Sequence, residues 1–351
     1  MKKMILSLLA AMMAATATFA QSSMLATLSH DGEISTYYGA TALRDAYNAS
    51  QHGDIITLSS GSFSAVNIEK ALTIRGAGMQ VDTVAKTYPT VITGDFTISI
   101  PDSIEQRLTM EGLYHNSRIN VNGTLKNASF LKNRFYGFTA KNSSTRMKNL
   151  TFIHCRIASY FFLPEESSAS CVNCFISNAY SYSSTSSNFE FTNCVLRNSG
   201  NMSVYYYSTS SWSYMSNIIS STFNNCIIYA VNGGSSSDKI SSSCTAYYCV
   251  GKSSYSIFEG IPNTTNTRLT GDLNTLFKTY TGSYNDNETF ELTDDAKTKY
   301  KGADGTEVGI YGGNLPYNPT PSNPQITKCN VAAKSTADGK LSVDIEVSAA
   351  E

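Results

Sequence analysis

The stretch FEFTNCVLRNSG, residues 189–200, decides the fold. Phe189 and Phe191 alternate with polar neighbours as in a half-buried strand, but after Asn193 the apolar positions fall at Cys194 and Leu196, one residue out of phase. Successive side chains of a strand point to opposite faces, so a one-residue slip means either a change of inward face or a bend. The slip recurs at one kind of residue: in Leu150, Phe152, His154, Cys155, Ile157; in Ala169, Cys171, Asn173, Cys174, Ile176; and in Phe223, Asn225, Cys226, Ile228. Looser copies surround Gly76, Gly112 and Asn133, the last with Arg134 in the cysteine place. Gly, Asn and His tolerate the left-handed backbone region, where one residue turns a strand through a corner while both flanks keep facing one core. The pivots Gly76, Gly112, Asn133, His154, Asn173, Asn193 and Asn225 are therefore expected to stack as a ladder, with Cys155, Cys174, Cys194 and Cys226 forming a second column beside it.

The residues after the pivots, 113, 134, 155, 174, 194, 226 and 249, are separated by 21, 21, 19, 20, 32 and 23. Self-similarity of this period with short strands is a solenoid signature, because one turn cannot bury its apolar face until neighbours stack on it. Leucine-rich repeats share the period, but their leucine frame and helical half are missing here, and β-branched and aromatic residues alternate with Ser, Thr and Asn instead. With these pivots in place, residues 36–314 resemble a right-handed parallel β-helix of the pectate-lyase-like superfamily, whose rungs carry an asparagine ladder at one tight bend. In TALRDAYNASQHGDIITLSSGSF (41–63), Leu43, Ala46 and Tyr47 share a helical face before strand spacing begins, which resembles the amphipathic helix cap and first rung of that superfamily. Glycine-punctuated FELTDDAKTKYKGADGTEVGIYGG (290–313) resembles its last rung. The expected class is all-β.

With 351 residues, 41% hydrophobic, 15% charged and a net charge of −1, the chain can bury a sizeable core, and no bulk charge points to nucleic acid. Residues 1–20, with Lys2 and Lys3 ahead of an apolar run and Ala20 at the end, read as a signal peptide, which implies export to the periplasm or outer surface of a Gram-negative bacterium. No span follows it that would hold the chain in a membrane. After the β-helix domain (21–314), NLPYNPTPSNP (314–324) reads as a stiff linker over 315–324. Residues 325–351, with QITKCNV and KLSVDIEV around TADGK, read as a C-terminal β-hairpin. A lone hairpin is marginal in water, so this one is expected to pack on the solenoid or to pair with a protein partner.

Eight cysteines in an exported chain suggest disulfides. The rung positions suggest instead an inward column spaced by about 4.8 Å, either reduced or bridged at one or more steps. Cys171 and Cys174 have a CxxC spacing, but strand geometry sends them to different walls, against zinc. His154 reads as a turn residue, and His30, His52 and His115 stand in no catalytic grouping.

The resemblance implies catalysis either with calcium, carboxylates and a basic proton abstractor or with paired aspartates. The matching signatures are absent: between Leu113 and Phe258 the only acids are Glu165, Glu166, Glu190 and Asp238. No catalytic residue is assigned and no cofactor is expected, although calcium could be drawn by Asp294, Asp295, Asp304 and Glu307, residues that turn chemistry also explains. The same stretch carries Arg118, Lys126, Lys132, Arg134, Lys141, Arg146, Lys148, Arg156, Arg197, Lys239 and Lys252, which could form a basic wall that Asp95, Asp102 or Glu111 approaches from earlier rungs. The longest interval houses NMSVYYYSTSSWSYMSN (201–217), in which Tyr205, Tyr206, Tyr207, Trp212 and Tyr214 stand among serines, with Tyr182 one rung earlier. Such a mixture suits a recognition loop, and equally a loop whose aromatics cover the solenoid wall. The expected function is a non-catalytic exported β-helix that binds a polysaccharide or cell-surface glycan; the alternative is a polysaccharide lyase or glycoside hydrolase acting on an acidic glycan.

Overall fold

The computed structural model describes residues 24–82, 87–181, 187–198, 203–208, 211–216, 220–230, 240, 243–252, 257–261, 265–280, 288–322, 325–331, 334, 338–340 and 342–348. The expected signal peptide, Tyr182 and Lys239 lie outside these residues. Two long sheets share the strands turn by turn. In the first, Ile55–Leu58, Thr73–Arg75, Thr109–Glu111, Ser129–Leu131, Leu150–Ile153, Ser168–Val172, Asn188–Thr192, Thr222–Asn224 and Thr245–Tyr247 pair successively in parallel. The second runs likewise from Gly61–Ser64 to Thr267–Arg268. The protein is an all-β parallel solenoid of about seven turns. Its lumen is filled by inward columns such as Met110, Phe130, Phe152, Cys171, Phe191 and Phe223, in which Phe130 stacks on Phe152 at 4.8 Å.

The slip in FEFTNCVLR is a corner. Phe189, Phe191, Cys194 and Leu196 are all buried, while Asn193 takes φ 51°. Positive φ recurs at Gly112, Lys132, His154, Asn173, Asn193, Asn225 and Tyr248. Their backbone N–H groups donate in sequence to the next rung, from Lys132 to Ile153 O through Asn173 to Thr192 O and Asn225 to Tyr247 O. Asn173, Asn193 and Asn225 are thus piled in register as expected. Two pivots need correction. At the third corner the left-handed residue is Lys132, because Arg134 registers with Arg156 rather than Cys155, and this moves Asn133 into the inward column. Gly76 has no left-handed φ, and Tyr248 adds a corner at the far end. Left-handed backbone costs about 1–2 kcal/mol at such residues. At Lys132 a 2.6 Å hydrogen bond from Nζ to Thr320 O helps to offset it.

The inward column is a second ladder that seals the corner from inside. Asn133 Oδ1 accepts the Leu113 N–H at 3.0 Å and its Nδ2 donates to Met110 O. One rung on, the Cys155 thiol donates to Phe130 O in the equivalent place, and Cys174 Sγ accepts the Cys155 N–H. Cys226 and Cys249 Sγ accept from Cys194 and Cys226 N–H, and Asn266 closes the column by accepting from Cys249 N–H and donating to Ala246 O. The thiols therefore take the place that amides hold at both ends. Cys155, Cys171, Cys174, Cys194, Cys226, Cys244 and Cys249 are free and buried, and burial pushes the Cys171, Cys174, Cys194 and Cys226 thiols well above their usual range. Because the reactive species is the thiolate, Cys171, Cys174, Cys194 and Cys226 are not expected to take up iodoacetamide in the folded protein, while all four should after denaturation. Mass spectrometry showing native labelling of Cys174 or Cys194 would contradict the ladder.

The C-terminal stretch departs from the expected last rung. It turns back along the outside of the second sheet and down the corner. Leu269, Leu276, Phe277, Phe290, Leu292 and Ile310 pack on the outward residues Phe175, Val195, Ile227, Tyr229 and Val250, forming a second apolar cluster outside the lumen. Along the corner, Ala303 N–H donates to Asn225 Oδ1, Asn173 Nδ2 donates to both Ile310 O and Gly312 O at 2.8 Å, and His154 Nε2 meets Leu315 O at 3.0 Å. The proline-rich stretch expected as a linker continues the run, with Thr320 O on Lys132 and Ser322 N–H on Glu111 Oε1. Gln325–Val331 and Val343–Ser348 then pair antiparallel as the expected hairpin, a two-stranded sheet of its own.

At the other end, β1 (Leu25–His30) and β2 (Glu33–Tyr38) form a hairpin that joins the first sheet antiparallel to Ile55–Leu58. Its turn residues, Asp31 and Gly32, both have positive φ, the requirement of a type I′ turn. Helix α1 (Ala42–Ala49) buries Ala42, Leu43 and Ala46 against β1, β2 and the first rung.

Candidate ligand-binding face

The interval of 32 residues between Cys194 and Cys226 is occupied by a two-stranded ribbon, Ser203–Ser208 paired with Ser211–Ser216. Tyr205 registers with Tyr214, and Tyr207 with Trp212. Directly opposed residues of an antiparallel pair share a face and alternate residues return to it. Positions 205, 207, 212 and 214 therefore fall on one face of the ribbon, whereas Tyr206, opposite Ser213, falls on the other. The ribbon lies beside the strand Ala179–Ser181, which extends the second sheet next to Phe161–Leu163.

A further aromatic pair stands on that sheet. Tyr136, 49% exposed, meets Tyr160 edge to face with centroids 6.5 Å apart. A bulge between Phe135 and Gly137 re-aims the strand. A Cβ at Gly137 would stand 2.8 Å from the Tyr160 ring, so glycine makes room for that ring. Arg118, 3.4 Å from Asp95, flanks the pair. Sequence reading missed this pair because Tyr136 and Tyr160 come together only through the rung register; a glycine, Gly137, inside the strand pattern RFYGFTA was the available signal.

Among the described residues the cations are divided between sheets, Arg118, Arg134 and Arg156 on the second long sheet and Lys126, Arg146 and Lys148 on a separate two-stranded one. Arg118 pairs with Asp95, Lys126 with Asp102 at 3.0 Å, Arg146 with Glu165 and Glu166, and Lys252 with Asp272. Arg134 lies over the Tyr114 ring at 4.1 Å, and Arg156 is buried beneath the return run, with Nη2 donating to Glu288 O. Asp95, Asp102 and Glu111 are thus engaged on separate rungs, Glu111 by Arg75 and Ser322. Among the described carboxyls Glu288 stands out: only 2% exposed, its pKa is pushed up to about 7 by burial, against the pull of Arg197 and Arg156. Perturbed acids can mark active sites. This one lies with buried Tyr229 between the sheet and its cover, closed to a polymeric substrate.

Among the described residues, no three His, Cys, Asp or Glu side chains converge as a metal site. Asp294 and Asp295 open helix α2 (Asp294–Lys299), Asp304 accepts from Thr306, and Glu307 lies 3.9 Å from Lys297. Cys171 and Cys174 stand in separate inward columns. His30, which the sequence places in no catalytic grouping, has Nδ1 2.8 Å from Asp54 Oδ1, whose other oxygen accepts the Gln51 N–H; this carboxylate raises the imidazole pKa and ties the N-terminal hairpin to the first rung. No described helix is long and apolar enough to cross a membrane. Set against known proteins, the chain matches no family model, no curated protein and no solved structure.

Proposed function

We propose that the chain is an exported, non-catalytic β-helix of pectate-lyase-like type that binds a glycan on the face bearing the aromatic ribbon and the Tyr136–Tyr160 pair. Its first 20 residues would direct it to the periplasm or outer surface of a Gram-negative cell. The supporting observation is the ribbon register, which gathers Tyr205, Tyr207, Trp212 and Tyr214 on one face. Aromatic faces supply rigid apolar area on which sugar rings stack, with polar edges for their hydroxyls. A solenoid adds a straight support with a repeat of about 4.8 Å, suited to an extended polymer.

On a glycan array, Trp212→Ala and Tyr207→Ala are expected to weaken binding about tenfold or more, the loss of roughly 1.4 kcal/mol of stacking. Tyr206→Ala, on the opposite face, should bind as the wild type does. Unchanged binding by Trp212→Ala would remove this site. Release of unsaturated uronate from an acidic polysaccharide with calcium would replace the reading with a lyase.

A further inference from the structure

β2 is the terminal strand of the eleven-stranded sheet, and among the described residues its outer edge pairs with nothing. Ile34 is 71% and Tyr38 65% exposed on it. An exposed edge carries a row of unpaired N–H and C=O groups, and proteins usually guard it with lysine, proline or a bulge. β2, EISTYY, has none of these. Gly39 N–H donates to Met24 O, so by the alternation of antiparallel pairing residues 33, 35 and 37 face β1, while Ile34, Thr36 and Tyr38 present their backbone groups outward.

We propose that this edge pairs antiparallel with β2 of a second copy about a two-fold axis, Thr36 opposite Thr36, joining two solenoids through one continuous sheet. Only registers that oppose outward-facing positions can close the hydrogen bonds, and the one centred on Thr36 gives the longest overlap. It sets Ile34 opposite Tyr38 twice and Thr36 opposite itself, β-branched with aromatic and threonine with threonine, both favourable cross-strand pairs. Glu33 falls opposite Gly39, so no like charges meet. At the sheet's other end Asn266 Nδ2 already donates to Ala246 O, which favours the self-complementary arrangement over a head-to-tail one.

Sedimentation of the purified protein over a concentration series should show a monomer–dimer equilibrium. Thr36→Lys, which sets two ammonium groups across the axis, should raise the dimer dissociation constant about tenfold while leaving the thermal transition in place. Thr36→Cys should form a 36–36 disulfide on oxidation, since Cα atoms of a hydrogen-bonded pair lie about 5.5 Å apart, within the disulfide range. A wild type that stays monomeric, or a dimer indifferent to Thr36→Lys, overturns the proposal. So does a dimer in which Thr36→Cys fails to cross-link at that position. A monomer whose residues 34, 36 and 38 resist hydrogen exchange would assign the edge to another segment of the chain and overturn it too.

Discussion

Replacing His115 by leucine is expected to stabilise the protein, and more strongly as the pH falls. His115 is buried in the lumen, stacked on Phe135 at 5.1 Å and tilted against Phe96, and among the described residues neither ring nitrogen has a hydrogen-bond partner. Burial pushes its pKa down from 6.5 to about 3. Above pH 6.5 both folded and unfolded chains hold it neutral, and its contribution is fully present. As the pH falls from 6.5 towards 3, the unfolded chain takes up a proton that the folded chain refuses, and stability drains at about 1.4 kcal/mol per pH unit. At pH 4 the wild type should have lost about 3 kcal/mol by this route. Leucine has similar volume and no polar atoms, so it should add about 1–2 kcal/mol at pH 7 by removing unpaired nitrogens, and it should also abolish the acid loss. Urea denaturation of both proteins at pH 7 and pH 4 measures this; an equal dependence on pH in the two would refute the assignment.

Asn173→Ala should cost about 3–4 kcal/mol, and Asn173→Gly only about 2. The residue has two separable roles. Its backbone sits at φ 49°, where alanine loses about 1–2 kcal/mol and glycine nothing. Its buried amide donates to Ile310 O and Gly312 O, and removing it leaves two carbonyls of the return run without that donor. Glycine keeps the corner and loses the bond to the return run. It should therefore show faster proteolysis between Gly302 and Ser322 with the solenoid intact. Full stability in Asn173→Gly would confine the residue to turn geometry.

The two kinds of information at Asn173 differ in how far they could be read. The left-handed corner is a local property, so one residue type at a recurring slip revealed it, and the solenoid followed. The acceptors of its amide lie 137 and 139 residues away, beyond any periodic signal. The same holds for the doublets Phe175-Ile176, Val195-Leu196 and Ile227-Ile228. One member of each faces the lumen and was legible as core; the other faces outward, apolar because the return run covers it. Lys132 escaped because a side chain of its size seldom takes the left-handed region and is held there by a tertiary contact, whereas the place of Tyr248 showed only through the spacing of Cys249. The Asp31-Gly32 turn carries a plain hairpin signal, but it stands ahead of the first rung and outside the period of the corners. The ribbon announced itself as an excess in one interval, but which aromatics share a face is a matter of register, which needs the paired strands.

Repeat arrays in which each turn touches only the next behave as a line of weakly coupled units and fray from their ends. The return run changes that arithmetic here, because one continuous stretch grips corners from Asn225 back to Glu111. A terminal turn cannot peel away without loosening coils near the beginning. Melting thereby becomes a collective event rather than an unravelling, and a nascent chain cannot reach its locked state until residues 303–322 have been delivered.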